Sequence, residues 1–89
     1  MNARQIFAKY EHVALGPVVK VALISPGTAY RITRGKVSRG GPRTHTIVFA
    51  RHMGPDYGGR VISADSYNRT FTSKEQAIGW AQQVGRFLR

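Results

Sequence analysis

The sequence predicts an α+β domain: an antiparallel sheet of about four strands, a C-terminal helix packed on one face, and an N-terminal helix. Three observations predict it. Behind a capping motif, Ala77, Trp80, Ala81, Val84 and Leu88 recur at helical spacing and share one face. Four short runs of β-branched or alternating residues precede that helix. The links between them are short and rich in glycine and proline, which favours a meander of neighbouring strands. All 89 residues are expected to form one domain, 1–89. A chain of this length buries only about 60–65% of its unfolded surface.

The elements follow in order. Residues 2–14 place Ile6, Phe7, Tyr10, Val13 and Ala14 at a spacing that suits a helix capped by Asn2. A strand starting at Ile6 is the competing reading. Gly16-Pro17 breaks the pattern. Val18 to Ile24 is a β-branched run and the first strand. Pro26-Gly27 is a turn pair, since proline presets one dihedral and glycine supplies the positive one. Thr28 to Thr33 returns as the second strand, with Tyr30 and Ile32 on one face and Ala29, Arg31 and Thr33 on the other.

Arg34 to Arg43 reads as a loop, with four cations and three glycines among ten residues. It suits either a solvated tip or a basic finger lying along a phosphate backbone. Thr44 to His52 is the third strand, apolar on both faces. Residues 53–59 form a glycine-rich turn with Tyr57 at its tip, and Arg60 to Ala64 is the fourth strand. Residues 65–68 turn the chain, and Arg69-Thr70-Phe71 leads into the closing helix. Thr72 with Glu75 has the spacing of a capping box. Gly79 and Gly85 each cost that helix about 1 kcal/mol against alanine, though glycine also permits close approach. The second sheet face, with Ala29, Val48 and Ile62, needs a cover, from the N-terminal helix or from a second copy in a homodimer.

Charge is the strongest compositional signal. Fourteen lysines and arginines oppose Glu11, Asp56, Asp65 and Glu75, a net +10. Such a chain attracts polyanions. Most of the cations are arginines, whose planar fork grips phosphate and stacks on bases. There is no cysteine, so no disulfide, thiol nucleophile or cysteine metal site is available. No apolar run of membrane-spanning length and no charged-then-apolar leader occurs, so the expectation is a soluble cytoplasmic protein without a membrane partner.

The candidate nucleic-acid contacts are Arg31, Arg34, Lys36, Arg39, Arg43, Arg51, Arg60 and Arg69. On a meander, Arg31, Arg51 and Arg60 are expected to gather with the 34–43 loop into one patch. The alternative is arginines scattered around the domain. Tyr30, Tyr57 and Tyr67 are candidates for stacking on bases. His45 and His52 lie about 23 Å apart on an extended strand, too far to share a metal. No metal site and no cofactor is expected. His45 amid Arg43 and Arg51 has the surroundings of an acid or base in RNA cleavage, or of a polar strand-end residue. No P-loop and no Gly-x-Ser-x-Gly elbow is present.

The run from Asn68 to Ala81 resembles the strand-to-helix junction of arm-type DNA-binding domains at the N-termini of tyrosine recombinases. Their pattern, R-x-F-x-T-K-x-E-A-x-x-W, is matched by Arg69, Phe71, Lys74, Ala77 and Trp80. The resemblance implies a basic sheet laid in a DNA groove, and would implicate Arg31, Arg51 and Arg60. The long N-terminal portion and the fourth strand depart from that family. In size and style the chain is also similar to small phage anti-CRISPR proteins, which implies an inhibitor docked on a bacterial nucleoprotein complex. The leading expectation is a non-enzymatic nucleic-acid binder, for DNA or RNA. An inhibitor facing an acidic or nucleoprotein partner is the second reading, and a His45-dependent ribonuclease toxin the third.

Overall fold

Strands β1 (Val18–Ser25), β2 (Thr28–Lys36) and β3 (Arg43–His52) form an antiparallel meander in the computed structural model, which describes residues 2–10, 16–36, 39–54, 61–63 and 69–88. Pro26-Gly27 makes the first turn, with Gly27 at φ +83°. Two short strands, β4 (Val61–Ser63) and β5 (Arg69–Phe71), lie end to end along the outer edge of β3. Among the described residues the open sheet therefore has five strands in four lanes, in the order β1-β2-β3 and then β4 with β5. Arg69–Phe71, expected as the lead-in to the helix, is a strand. Ala50 pairs with Ser63 and Ile47 with Arg69, so a step of three residues along β3 is matched by six on the outer side. That slip divides the outer lane in two.

Helix α1 (Ala3–Ala8) opens the chain. Asn2 caps it: its side chain accepts from the Gln5 N–H at 2.8 Å, and Gln5 Oε1 accepts from the Asn2 N–H at 2.9 Å. The helix stops at Lys9 and is shorter than the expected 2–14; residues 11–15 lie outside the described residues. Its buried side chains Ala3, Ile6 and Phe7 pack on Ala29, Val48 and Ala50. The N-terminal helix, one of the two covers expected for that face, packs on it.

Helix α2 (Lys74–Leu88) lies on the opposite face. Ala77, Ala81 and Val84 join Tyr30, Ile32, Ile47 and Phe49 in the larger core, with Ile78 and Trp80 packed against it. The N-cap is one residue later than expected. Ser73 Oγ accepts from the Gln76 N–H at 3.2 Å, while the Thr72 hydroxyl donates to Gln76 Oε1 at 3.2 Å. The sequence TSKEQ holds two overlapping box frames, Thr72/Glu75 and Ser73/Gln76, and the fold uses the second as its cap.

Two glycines in α2 differ in kind. A Cβ on Gly79 meets nothing within 4 Å, whereas one on Gly85 lies 2.9 Å from Ile24 Cγ2 on β1. Gly79→Ala is therefore expected to recover the full helix propensity, about 1 kcal/mol. For a domain of this size that raises Tm by roughly 4–8 °C. Gly85→Ala should gain clearly less, because Ile24 must give way. Thermal melts of both variants check this, and equal gains would contradict it. Gly16 is a tighter case. At φ +151°, its missing Cβ would sit 2.1 Å from the Arg34 carbonyl oxygen. Only glycine lets the chain entering β1 lie against β2, where the Arg34 N–H donates to the Pro17 carbonyl at 3.0 Å.

Candidate nucleic-acid interface

The meander register decides which cations meet. Arg34 is opposite His45 and Lys36 is opposite Arg43. Alternation along each strand puts all four on the face that carries Ile32, Ile47 and α2. The segment expected as a loop is thus strand at both its ends: β2 runs on to Lys36 and β3 begins at Arg43. The physical reason is that ladder bonds need only backbone, so Gly35 opposite Thr44 extends the strands despite a loop-like composition. Arg39, which is exposed, sits in the connection between the strands.

Arg34, Lys36 and Arg43 line one cleft of about 480 Å³ with Gly16, Pro17, Val19 and Gly35. The close approach of Gly16 to β2 gives this cleft its far wall. Arg34, Lys36, Arg39 and Arg43 are all exposed. Of the four acidic residues only Glu75 is described, in the first turn of α2, and no ion pair neutralises these four cations among the described residues. Lys36 directly opposite Arg43 is a like-charge cross-strand pair, which works against folding.

The other expected contacts fall elsewhere. Arg31 is on the opposite face and only 7% exposed. Its guanidinium lies 5.1 Å from the Phe7 ring centroid and 5.8 Å from that of Tyr10, so it helps hold the N-terminal segment to the sheet. Burial pushes its pKa below the ordinary arginine value, and Tyr10 offsets part of this. Arg51 is exposed but stands eight positions along β3 from Arg43, about 27 Å away. Its Nε donates to Thr28 Oγ1 at 3.3 Å. Arg60 lies outside the described residues. The expected gathering of Arg31 and Arg51 with the 34–43 segment therefore does not occur: one is on the wrong face and the other at the wrong end.

The stacking candidates also shift. Tyr30 is 5% exposed in the core, beside Phe49, and burial raises its hydroxyl pKa. Tyr57 and Tyr67 lie outside the described residues. In their place the structure offers a group that the sequence pattern did not single out for stacking. Arg69 sits with its guanidinium 5.2 Å from the Phe71 ring and 5.9 Å from the Trp80 ring. Phe71 and Trp80 are 5.4 Å apart, and Trp80 meets Phe49 edge-on at 5.6 Å. The signal was present as Arg-x-Phe followed by an inward-facing tryptophan, once β5 is recognised as a strand.

His45 is half-buried between Arg34 and Phe71 in the ladder. Its Nδ1 is buried without a hydrogen-bond partner among the described residues. No group of three metal-ligating side chains occurs among the described residues. No helix there is long and apolar enough to cross a membrane. Neither a family model, nor a characterised protein, nor a solved structure matches this chain.

Proposed function

We propose that the protein is a non-enzymatic nucleic-acid binder that grips phosphates with the β2–β3 arm. The observation that carries this reading is the shared cleft of Arg34, Lys36 and Arg43, with Arg39 in the adjoining connection and no ion pair to any of them among the described residues. Four exposed like charges on one hairpin raise the free energy of the folded chain. A run of phosphates relieves that repulsion and releases counterions as it does so. Arg31 and Arg51 fall outside the contact set, and Arg69, on β5, stays in it. His45 supports the arm rather than performing chemistry, because its Nδ1 is turned inward and His52 is too distant to serve as its partner.

Binding titrations against duplex DNA, single-stranded DNA and RNA over a range of salt concentrations test this. Each phosphate contacted contributes a log–log slope of about −0.9 on duplex and −0.7 on single strands. Four phosphates give about −3.6 and −2.8. A flat salt response, or no binding to any of the three, would overturn the reading and point to an acidic protein surface instead.

A further inference from the structure

We infer that the nucleic acid is single-stranded and that Arg69 is the platform on which one of its bases stacks; this rests on the nucleic-acid reading above. Three strands place Arg34, His45 and Phe71 in one row. Arg34 on β2 is opposite His45 on β3, and His45 is opposite Phe71 on β5. Arg69 is two residues before Phe71 and opposite Ile47, on the same face. Two strand spacings, about 10 Å, separate the lanes of Arg34 and Arg69. A strand with a phosphate at Arg34 thus has Arg69 two lanes away on the same face of the sheet.

Arg69 is built for that encounter. Phe71 and Trp80 hold its guanidinium at 5.2 and 5.9 Å, yet the residue as a whole is exposed. No acid is paired with it among the described residues. A planar cation braced against two aromatic rings, in a residue that is exposed, offers a stacking surface for an unpaired base. In a duplex the base faces are occupied by neighbouring bases and cannot reach it. The bland alternative is that Arg69 only roofs Trp80, and the experiment separates the two.

Affinity is measured by fluorescence anisotropy for short oligo-dT, short oligo-rU, a duplex, and an abasic oligomer that keeps the sugars and phosphates of oligo-dT. The wild-type protein is expected to prefer oligo-dT or oligo-rU over the abasic strand by roughly five- to 150-fold, the effect of one stacked base. Trp80, the sole tryptophan, should change its emission with the base-bearing strands and not with the abasic one. Arg69→Lys keeps the charge and removes the plane. It should bring the preference close to unity by lowering affinity for the base-bearing strands far more than for the abasic strand. Equal wild-type affinity for abasic and base-bearing strands, or a preference that survives Arg69→Lys, overturns the inference and leaves the phosphate-binding arm standing. Failure to bind all four probes overturns the nucleic-acid reading itself. Should Arg69→Lys not fold, the wild-type abasic comparison and the Trp80 signal decide the matter without it.

Discussion

Trp80→Ala is expected to remove about 3 kcal/mol of folding stability, near the lower end for truncating a large aromatic because Trp80 is half-buried. The ring joins three parts of the fold. It meets Phe49 of β3 at 5.6 Å and Phe71 of β5 at 5.4 Å, and Arg69 covers it at 5.9 Å. Truncation therefore leaves a void between α2 and the sheet and removes the main side-chain contact between α2 and β5. A domain of this length has roughly 4–13 kcal/mol in total, so the loss is a large part of it. Urea denaturation should show the midpoint falling with little change in slope. Leu23→Ser is the control. Leu23 is 46% exposed, and its replacement should change stability by less than about 0.5 kcal/mol. Equal effects of the two substitutions would mean that the ring cluster does not hold α2 in place.

What could be seen in the sequence follows the range of the interactions involved. The β1–β2 hairpin was legible because Pro26-Gly27 dictates its turn locally. Helix α2 was legible because Ala77, Ala81 and Val84 repeat at the spacing the core requires. Strand β5 was not, because three residues carry no periodicity and their partners, His45 to Ile47, are distant in sequence. The arm was hidden for a related reason. Arg34, Gly35 and Lys36 have the composition of a loop, and only pairing with β3 makes them strand. The side of the sheet on which Arg31 points was readable from alternation. That Phe7 and Tyr10 would cover it was not, since the cover comes from a helix that pattern alone made too long. The candidate site suffered most. A set of arginines taken from composition cannot separate a guanidinium buried under a helix from one on an open arm, and both kinds occur here.

Lys36→Glu should change stability and binding in opposite directions, which no purely structural role for the arm predicts. Lys36 faces Arg43 across the ladder, so the substitution turns a repulsive pair into an attractive one. Relief of that repulsion is expected to stabilise the fold by about 0.2–1 kcal/mol, read as a higher denaturation midpoint. The same change sets a negative charge in the cleft lined by Arg34, Lys36 and Arg43, which is proposed to take phosphates. Affinity for nucleic acid should fall by roughly tenfold or more at low salt, and the log–log salt slope should become shallower by about one phosphate's worth. Neutralising Arg34, Lys36, Arg39 and Arg43 together to glutamine extends the argument. Without these four cations the slope should become shallower by about 3.6 on duplex or 2.8 on single strands. Since exposed surface substitutions rarely move stability by more than about 0.5 kcal/mol, the quadruple variant should remain folded while it stops binding. If it unfolded, or if it bound with an unchanged slope, the arm would be a structural element and the polyanion would have to sit elsewhere. If Lys36→Glu gained stability and kept its affinity, the cross-strand repulsion would be real but unrelated to any ligand. Two facing cations on an exposed hairpin, with no acid paired to them among the described residues, repel each other in the folded chain, and a bound anion would relieve that repulsion.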